Sequence, residues 1–280
     1  KKVEEQSRKY DNFFPSLALS FPLGKVQMQL AYRASIKRPS YWDLRGNITY
    51  ANRYTYETGN PLLQPTTIQS LSLNTIYRWM SLSLSYNHYK NDYTSYVRAY
   101  SEENPTIGLL TREHIAPYNR LSASLTLSPV IGKWSPRWGV QVQRYDCKVD
   151  TPQGVETFDN PLAILSWRNT VKFTDSFWIN ADAYYQTKCQ PINAEYLENS
   201  WYMNLNLYKG FMNNRMSLQL QVSDLFNTRK SHVLMYSGLR TMELDNELRR
   251  TISLTFRYKF NPTKSKYKGT GAGQSQKARM

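Results

Sequence analysis

Long apolar runs are missing from this sequence, although a membrane-spanning helix needs about 20 consecutive apolar residues. The mean hydropathy of −0.63 likewise excludes a helical membrane protein. Only two cysteines, Cys147 and Cys189, occur among 280 residues, which is too few for a disulfide framework. Neither the cysteines nor the three scattered histidines show the close spacing of metal ligands, so we expect no metal and no cofactor.

Catalytic signatures are missing as well. The sequence has no Gly-x-Ser-x-Gly nucleophile elbow, no His-Glu-x-x-His zinc motif and no glycine-rich phosphate loop. His114 beside Glu113 and His232 beside Ser231 offer a base next to a polar partner, but such pairs occur in any chain. We therefore expect that the protein is not an enzyme. An apolar leader is also missing at the start, so we expect either a cytosolic protein or a piece of a longer precursor.

Aromatic and basic residues are abundant instead. The chain has 22 tyrosines, and Tyr and Trp concentrate at wet interfaces and membrane boundaries. The net charge is +15, from 36 basic and 21 acidic residues. The basic residues are spread along the chain and cluster only at 264–279. Two interpretations stay open on charge alone: a soluble basic β-protein that binds nucleic acid, or a barrel whose basic groups contact lipopolysaccharide.

Alternation of apolar and polar residues with a period of two predicts the fold class. In the last of eleven such segments, one face carries Ile252, Leu254, Phe256, Tyr258 and Phe260, as in a strand between lipid and a wet lumen. Short and long connections alternate along the chain, as do the periplasmic turns and extracellular loops of outer-membrane barrels. The sequence therefore predicts an all-β, antiparallel, up-and-down transmembrane β-barrel over residues 1–260, with about eleven strands.

The odd number of strands indicates part of a larger barrel, because single-chain bacterial barrels have even numbers. The alternative is an overlooked strand at 47–51.

The predicted order of strands places Cys147 near the end of the sixth strand and Cys189 near the end of the eighth. With one strand between them, their backbones should lie about 10 Å apart, beyond the reach of a disulfide. We therefore predict two free thiols.

Three segments together carry motifs of one family: 32–41 (YRASIKRPSY), 54–65 (YTYETGNPLLQP) and 222–227 (VSDLFN). With the closing residues 257–260 and the basic segment after them, the chain resembles, over nearly its whole length, the barrel of TonB-dependent receptor-like outer-membrane proteins of the Bacteroides group. The resemblance implies a place in the cell outer membrane and a barrel of about 22 strands, of which this chain is the second half. We expect residues 261–280 to form a basic, flexible periplasmic tail.

The resemblance implies uptake of a nutrient, such as a sugar, a peptide or a metal chelate. The implied partners are outer-membrane lipid and lipopolysaccharide, the missing N-terminal plug and barrel half, the inner-membrane energising complex that acts through the missing part, and the barrel-assembly machinery, for which Phe260 resembles a terminal signal. No nucleic acid is expected. A structural or adhesive barrel without import remains an alternative, and the sequence does not identify the ligand.

Candidate contact residues fall in three groups. Loop residues placed to touch a ligand or the plug are Arg38, Tyr41, Trp42, Tyr54, Tyr56 and Asn60. The Pro and Gly-Asn pairs of this loop also have a purely local explanation as turn chemistry. Aromatic residues expected to anchor strand ends in the membrane interface are Trp79, Trp138, Trp178, Trp201, Tyr258 and Phe260. Asp224 and Asn227 are expected to end a strand by bonding local backbone groups.

Overall fold

The structure is a computed structural model that describes residues 13–238 and 240–260. The predicted basic tail at 261–280 lies outside the described residues. This part of the chain is almost entirely β-structure. Its elements are, in chain order, β1 (Ser16–Leu23), β2 (Val26–Lys37), α1 (Tyr41–Leu44), β3 (Thr49–Asn52), β4 (Thr55–Glu57), β5 (Thr66–Tyr77), β6 (Met80–Lys90), β7 (Tyr93–Ala99), β8 (Gly108–His114), β9 (Tyr118–Leu127), β10 (Trp134–Thr151), β11 (Gly154–Phe158), β12 (Leu162–Thr174), β13 (Phe177–Gln186), β14 (Ala194–Tyr196), β15 (Ser200–Phe211), β16 (Met216–Ser223), β17 (Lys230–Ser237), β18 (Arg240–Glu247) and β19 (Thr251–Tyr258). None of these described residues belongs to a helix that could span a membrane.

Eleven strands of the described chain form one antiparallel meander, which we call the main sheet. Its order is β1-β2-β5-β6-β9-β10-β12-β13-β15-β16-β19, and β11 pairs with β10 beside this path. The predicted number of eleven long strands is confirmed. The alternative of an overlooked strand at 47–51 is wrong for the main sheet, because β3 lies in a separate small sheet. In the part described, β1 pairs only with β2 and β19 only with β16, so the main sheet has two edges.

The two faces of the main sheet differ sharply in polarity. One row of directly paired residues across the sheet is Leu30, Leu73, Leu84, Ala123 and Val142. The adjacent row, on the opposite face, is Ala31, Ser72, Ser85, Ser122 and Gln143. Apolar residues meet apolar residues because every strand keeps the same period of two in register. The apolar face is uncovered, with Leu254 67% exposed, so it requires an apolar environment.

Short and long connections segregate to opposite ends of the main sheet, as predicted. At the turn end, β1 and β2 are joined by Gly24 and Lys25, and Gly24 has φ +62°, which glycine adopts without strain. At the loop end, the long connections fold into ordered structure, which we call the cap. The cap comprises residues 41–65, 91–117, 144–161, 187–199, 224–238 and 240–250.

The cap contains two small sheets and one hairpin. One sheet has the order β3-β4-β8-β7, with β4 and β8 parallel, and the other has the order β14-β17-β18. The hairpin is formed by β11 and the outer part of β10. A small core of buried side chains, Cys147, Val149 and Phe158 with Tyr118, holds the hairpin over the sheet. The ring of Tyr236 packs edge-on against Phe158 at 5.4 Å between centroids, which joins the second small sheet to this core.

Candidate functional site

A cavity of about 510 Å³ lies within the cap, between the β7–β8 hairpin and the β10–β11 hairpin. We call it the cap cavity. Asn193 and Gly238 border it on the side of the β14-β17-β18 sheet. Sites for small ligands typically measure roughly 300–1,000 Å³, so the volume suits a ligand of several polar groups.

One wall of the cap cavity is a single face of the β7–β8 hairpin. Thr94 is paired directly with Glu113, and alternate residues of a strand share a face. Tyr96 and Arg98 therefore stand on the same face as Thr94, and all four residues line the cavity. This wall thus presents one cation, one anion, a phenol ring and a hydroxyl group.

The opposite wall is a face of the β10–β11 hairpin. Lys148 and Asp150 lie two residues apart on β10, and Val155 of β11 is paired with Asp150. The second wall therefore also presents one cation and one anion. Within the described part of the chain, none of these four charged groups forms an ion pair. Unpaired charges of both signs around one concavity are free to bind a ligand.

Contacts between distant loops hold the walls in place. Asn193 Nδ2 donates to Thr94 Oγ1 at 2.9 Å. Arg240 donates to the Tyr54 carbonyl at 2.9 Å and to Thr55 Oγ1 at 3.1 Å, which ties β18 to the first loop. Gly238 has φ +62°, and a Cβ there would lie 2.6 Å from the Tyr96 ring, so only glycine fits. The cavity is thus built from segments that are far apart in sequence.

A carboxylate at the centre of the first loop joins this loop to the β7–β8 hairpin. Asp43 accepts hydrogen bonds from Ser40 Oγ at 2.6 Å, Arg112 Nε at 3.1 Å and the Tyr93 hydroxyl at 3.2 Å. Burial of Asp43 disfavours its charged form, but these bonds outweigh burial and hold the pKa of Asp43 below its ordinary value. Ser40 and Asp43 also form a capping box that starts α1.

Most of the predicted loop residues lie at the surface of the cap or, for Arg38, just before it, and none of them lines the cap cavity. Arg38 and Tyr41 are exposed. Trp42 is also exposed and is covered on one face by Arg45, at 3.9 Å from the ring centroid. Tyr54 is exposed and contributes its carbonyl to Arg240. A ligand contact by these side chains stays a prediction.

Tyr56 and Asn60 are the less exposed members of this group. The Tyr56 ring packs edge-on against Tyr100 at 4.7 Å between centroids. Asn60 Nδ2 donates to the Arg112 carbonyl at 2.9 Å, and its Oδ1 accepts from Leu62 N at 2.9 Å. Both side chains thus have partners within the protein, as expected if they serve loop geometry.

The predicted membrane anchors lie near both ends of the main sheet. Trp138 is paired with Leu127 and Trp167, and Trp201 with Tyr185, on the apolar face. At the turn end lie Trp79, Tyr258 and Phe260. Their anchoring role stays a prediction.

Trp178 differs from the other predicted anchors. It is paired with Lys172 and stacks on Tyr208 at 5.1 Å between centroids, on the polar face. Its neighbour Phe177 is paired with Lys209 on the apolar face instead. At this strand end the apolar face thus carries Phe177 and not Trp178.

Asp224 and Asn227 stand directly after β16, which ends at Ser223. Asp224 is 3% exposed and accepts from the backbone N–H groups of Thr228 and Arg229, each at 2.9 Å. Burial opposes ionisation, but these bonds outweigh burial and lower the pKa of Asp224. Asn227 Oδ1 accepts from Arg250 N at 3.0 Å. Asp224 thus bonds local backbone, whereas Asn227 bonds backbone 23 residues away. The strand-ending role of the two side chains stays a prediction.

Aromatic rings line the polar face of the main sheet just below the cap. Tyr89 and Tyr118 are directly paired and stack at 4.7 Å, and Tyr184 and Tyr202 stack at 5.1 Å. Arg229 lies over the Tyr202 ring at 4.5 Å. A ligand that leaves the cap on this side would meet stacked phenol rings and a cation, which suit polar molecules.

The cysteines are buried in the cap as free thiols, as predicted. Burial raises the pKa of Cys147 and that of Cys189 to about 11. Both thiols are therefore protonated near neutral pH and are poor nucleophiles and poor metal ligands.

One group of possible metal ligands was not anticipated. His232 is paired with Asp245 across β17 and β18, and its Nε2 lies 2.6 Å from Glu243 Oε1. The ligand atoms of the three residues lie within 4.8 Å of one another. In sequence His232 looks isolated, because the register that joins it to β18 is not visible there. Both carboxylates are exposed, and the expectation of no bound metal stays a prediction.

The charged residues of the cap cavity were not anticipated from the sequence either. The signal for them was weak, because 93–99 (YTSYVRA) alternates only in part and 108–114 (GLLTREH) does not alternate in polarity. Recognising these segments as a hairpin would have placed Arg98 and Glu113 on one face.

Comparison with known proteins identifies relatives of the fold. A family model described as "Outer membrane protein beta-barrel family" matches residues 1–258. No curated protein matches the sequence.

Several solved structures are similar in fold. They include a variant of the ferric enterobactin receptor from Pseudomonas aeruginosa in complex with enterobactin (16% identity over 88% of this chain and 40% of that chain, TM-score 0.56). They also include the siderophore receptors PirA from Pseudomonas aeruginosa (15% identity, 78% and 39%, TM-score 0.56) and from Acinetobacter baumannii (13% identity, 88% and 41%, TM-score 0.55). At these identities the likeness shows the fold alone, and this chain spans about two fifths of those structures.

Proposed function

Because the chain belongs to the outer membrane protein beta-barrel family, we propose that it is part of an outer-membrane receptor that captures a nutrient at its cap and passes it inward. The location in the cell outer membrane follows from the family. In that membrane the uncovered apolar face of the main sheet contacts lipid, and the polar face borders a wet interior.

The observation that carries the proposal is the cap cavity. It stands at the loop end, which is the extracellular end in barrels of this kind. Charges of both signs line it, and none of them forms an ion pair within the described residues, so they are available to a ligand. Serine, asparagine and glutamine side chains on the polar face, such as Asn74 and Gln219, bond to neighbouring strands and leave a hydrophilic surface below the cap.

The uptake route is proposed to need parts beyond the described strands. The edges of β1 and β19 leave backbone groups unpaired, which is costly beside lipid. We assign them to a second half of the barrel, which would enclose an N-terminal plug coupled to the inner-membrane energising complex. The barrel-assembly machinery and lipopolysaccharide complete the proposed partners. The protein carries no catalytic role in this proposal.

Depletion of solutes from a growth medium tests the proposal even though the ligand is unidentified. Cells that produce the full-length protein are compared with cells that lack its gene, and the solutes left in the medium are identified by mass spectrometry. We expect at least one small polar solute to stay in the medium of the deletion strain. A protonophore should block its uptake in the producing strain, since import into the periplasm needs energy from the inner membrane.

A variant that fills the cavity links uptake to the cap. Val155 is 67% exposed and borders the cavity, so Val155→Trp should reduce uptake without disturbing the sheet. Val130→Trp is the matched control, because Val130 is 76% exposed at the turn end. If the deletion strain removed the same solutes from its medium as the producing strain, the receptor proposal would be overturned and a structural or adhesive barrel favoured.

A further inference from the structure

We propose that the cap cavity binds short peptides with free amino and carboxyl termini, held between opposite charges on its walls. The proposal rests on the receptor function proposed above and names its substrate class. It begins from the balance of charge, which is two cations and two anions around about 510 Å³, although the whole chain carries a net charge of +15.

The balance of charge separates three classes of ligand. An anionic metal chelate would be served best by an excess of cations. A neutral sugar can hydrogen-bond these groups through its hydroxyls but offers no charge to pair with any of them. A ligand with one charge of each sign satisfies a cation and an anion at once.

The spacing along the β7–β8 wall gives the length of this ligand. Glu113 is paired with Thr94, and Arg98 stands four residues farther along the same face of β7. Four residues of strand span about 13 Å, so these two charges cannot pair with each other without large movements. An extended peptide of about four residues covers the same distance, with its amino terminus at Glu113 and its carboxylate at Arg98.

The second wall repeats the two charges at a shorter spacing. Lys148 and Asp150 are two residues apart on one face of β10, or about 7 Å. They can contact charged side chains of the peptide or the termini of a shorter one. Each wall is thus electrically neutral but dipolar.

The backbone of β7 favours a peptide over other dipolar molecules. β7 is the last strand of its sheet, and β8 is its neighbour on one side. On the other side, within the described residues, the bridge from Val97 to Gly238 is its sole β-pairing. The remaining backbone groups at that edge can donate to and accept from the end of a peptide that reaches the edge beside Arg98 of the same strand, in the manner of sites that bind peptides through main-chain bonds.

Retention of tetrapeptides by the full-length protein in detergent tests this inference. One probe is a pool of mixed tetrapeptides with free termini, and the other is the same pool acetylated at the amino terminus and amidated at the carboxyl terminus. Retention is measured by equilibrium dialysis and mass spectrometry. We expect the free pool to be retained at least about tenfold better, since each terminus loses a charged hydrogen bond when capped.

Charge variants test the assigned contacts. Glu113→Gln and Arg98→Gln should each weaken retention of the free pool about tenfold, whereas Glu103→Gln should not, because Glu103 is exposed in the same hairpin outside the cavity. The exchange of both charges, Arg98→Glu with Glu113→Arg, should restore retention by turning the peptide around. Restoration by the exchange would not occur if the single variants had merely misfolded.

Other results overturn the inference in distinguishable ways. Equal retention of free and capped pools, or retention of neither, rejects the peptide class. If mixed oligosaccharides or ferric chelates are then retained and Val155→Trp abolishes this, the receptor function stands with another substrate. If nothing is retained and the deletion strain depletes its medium normally, the receptor function fails as well.

Discussion

The main sheet and the cap are built from the same β-structure but are stabilised in different ways. In the main sheet, each strand repeats the contacts of its neighbour, so that Leu84 contributes to one apolar row among several. In the cap, single side chains such as Arg112 and Arg240 join segments that are 69 and 186 residues apart. The stability of the main sheet should therefore fall when a substitution changes the polarity of a face, but not when it changes one apolar side chain for another. The stability of the cap should depend on individual residues.

The largest effect should come from placing a charge on the wrong face of the sheet. Leu84 and Ser85 are adjacent in the middle of β6 and point to opposite faces. Leu84→Arg puts a guanidinium into lipid and should cost about 3 kcal/mol of folding free energy. Ser85→Arg points to the wet interior and should cost less than about 1 kcal/mol. Urea unfolding of the full-length barrel in lipid, read by the gel mobility of unboiled samples, measures both. Equal losses would contradict the assignment of the two faces.

A smaller but more local effect should follow from one methyl group in the cap. A Cβ on Gly59 would lie 2.4 Å from the Asp43 carbonyl oxygen and 2.7 Å from Arg45 N. Backbone atoms cannot yield as a flexible side chain does, so Gly59→Ala should destabilise the first loop by about 2 kcal/mol.

Gly46→Ala is the matched control for Gly59→Ala, because its nearest contact would be 3.6 Å, to Pro61 Cγ. Hydrogen exchange of residues 41–65 should rise in Gly59→Ala alone, with the exchange of β5 and β6 unchanged. A rise across the main sheet as well would show that the cap and the sheet unfold as one unit.

The same contrast explains what could be predicted from the sequence. The alternation of apolar and polar residues identifies each strand of the main sheet from the sequence. Leu84 and Ser85 are one example of this period of two, which all eleven strands share. At strand ends the pattern is easily misread, as Phe177 and Trp178 show. The unbroken pairing of β13 with β15 places Phe177 on the face of Ile179 and Trp178 on the face of Asn180, but two adjacent aromatic residues blur this alternation in the sequence.

Prediction of the site failed for a different reason. The pairing of His232 with Asp245 depends on the register of a hairpin that lies inside a loop. The placement of Arg98 and Lys148 around one cavity depends on how two loops pack against each other. Such contacts have no period, and loop residues such as Asn60 and Gly59 identify turns but not the partners that the turns bring together.

Two ion pairs of the cap that differ in exposure offer a third test. Arg112 lies 3.1 Å from Asp43, with side chains 31% and 17% exposed, whereas Arg144 lies 2.8 Å from Asp159, with both at least 50% exposed. Arg112→Met should cost about 1.5 kcal/mol, because Asp43 keeps its burial and loses a charged donor. Arg144→Met should cost less than about 0.5 kcal/mol, because water screens that pair. Thermal unfolding of each variant, monitored by the susceptibility of the cap to proteolysis, measures the two losses of stability. Similar losses in the two variants would contradict the role given to burial.

The smallest effect should appear as a dependence on acid. The pKa values of Asp43 and Asp224 are both lowered by folding, so the folded cap binds fewer protons than the unfolded chain. Their stabilisation is complete above the ordinary carboxyl pKa of about 3.9 and is lost as the pH falls through the lower folded values. Trp42 is adjacent to Asp43, so its fluorescence should report loosening of the first loop below about pH 4, while the backbone ladders of the main sheet, which do not titrate, persist.

The variant Asp43→Asn tests this explanation. It should be less stable than the unmodified protein at neutral pH and should show a weaker change in acid, because its amide cannot ionise. If this variant and the unmodified protein loosened in parallel, the hydrogen bonds to Asp43 would not be what holds the loop.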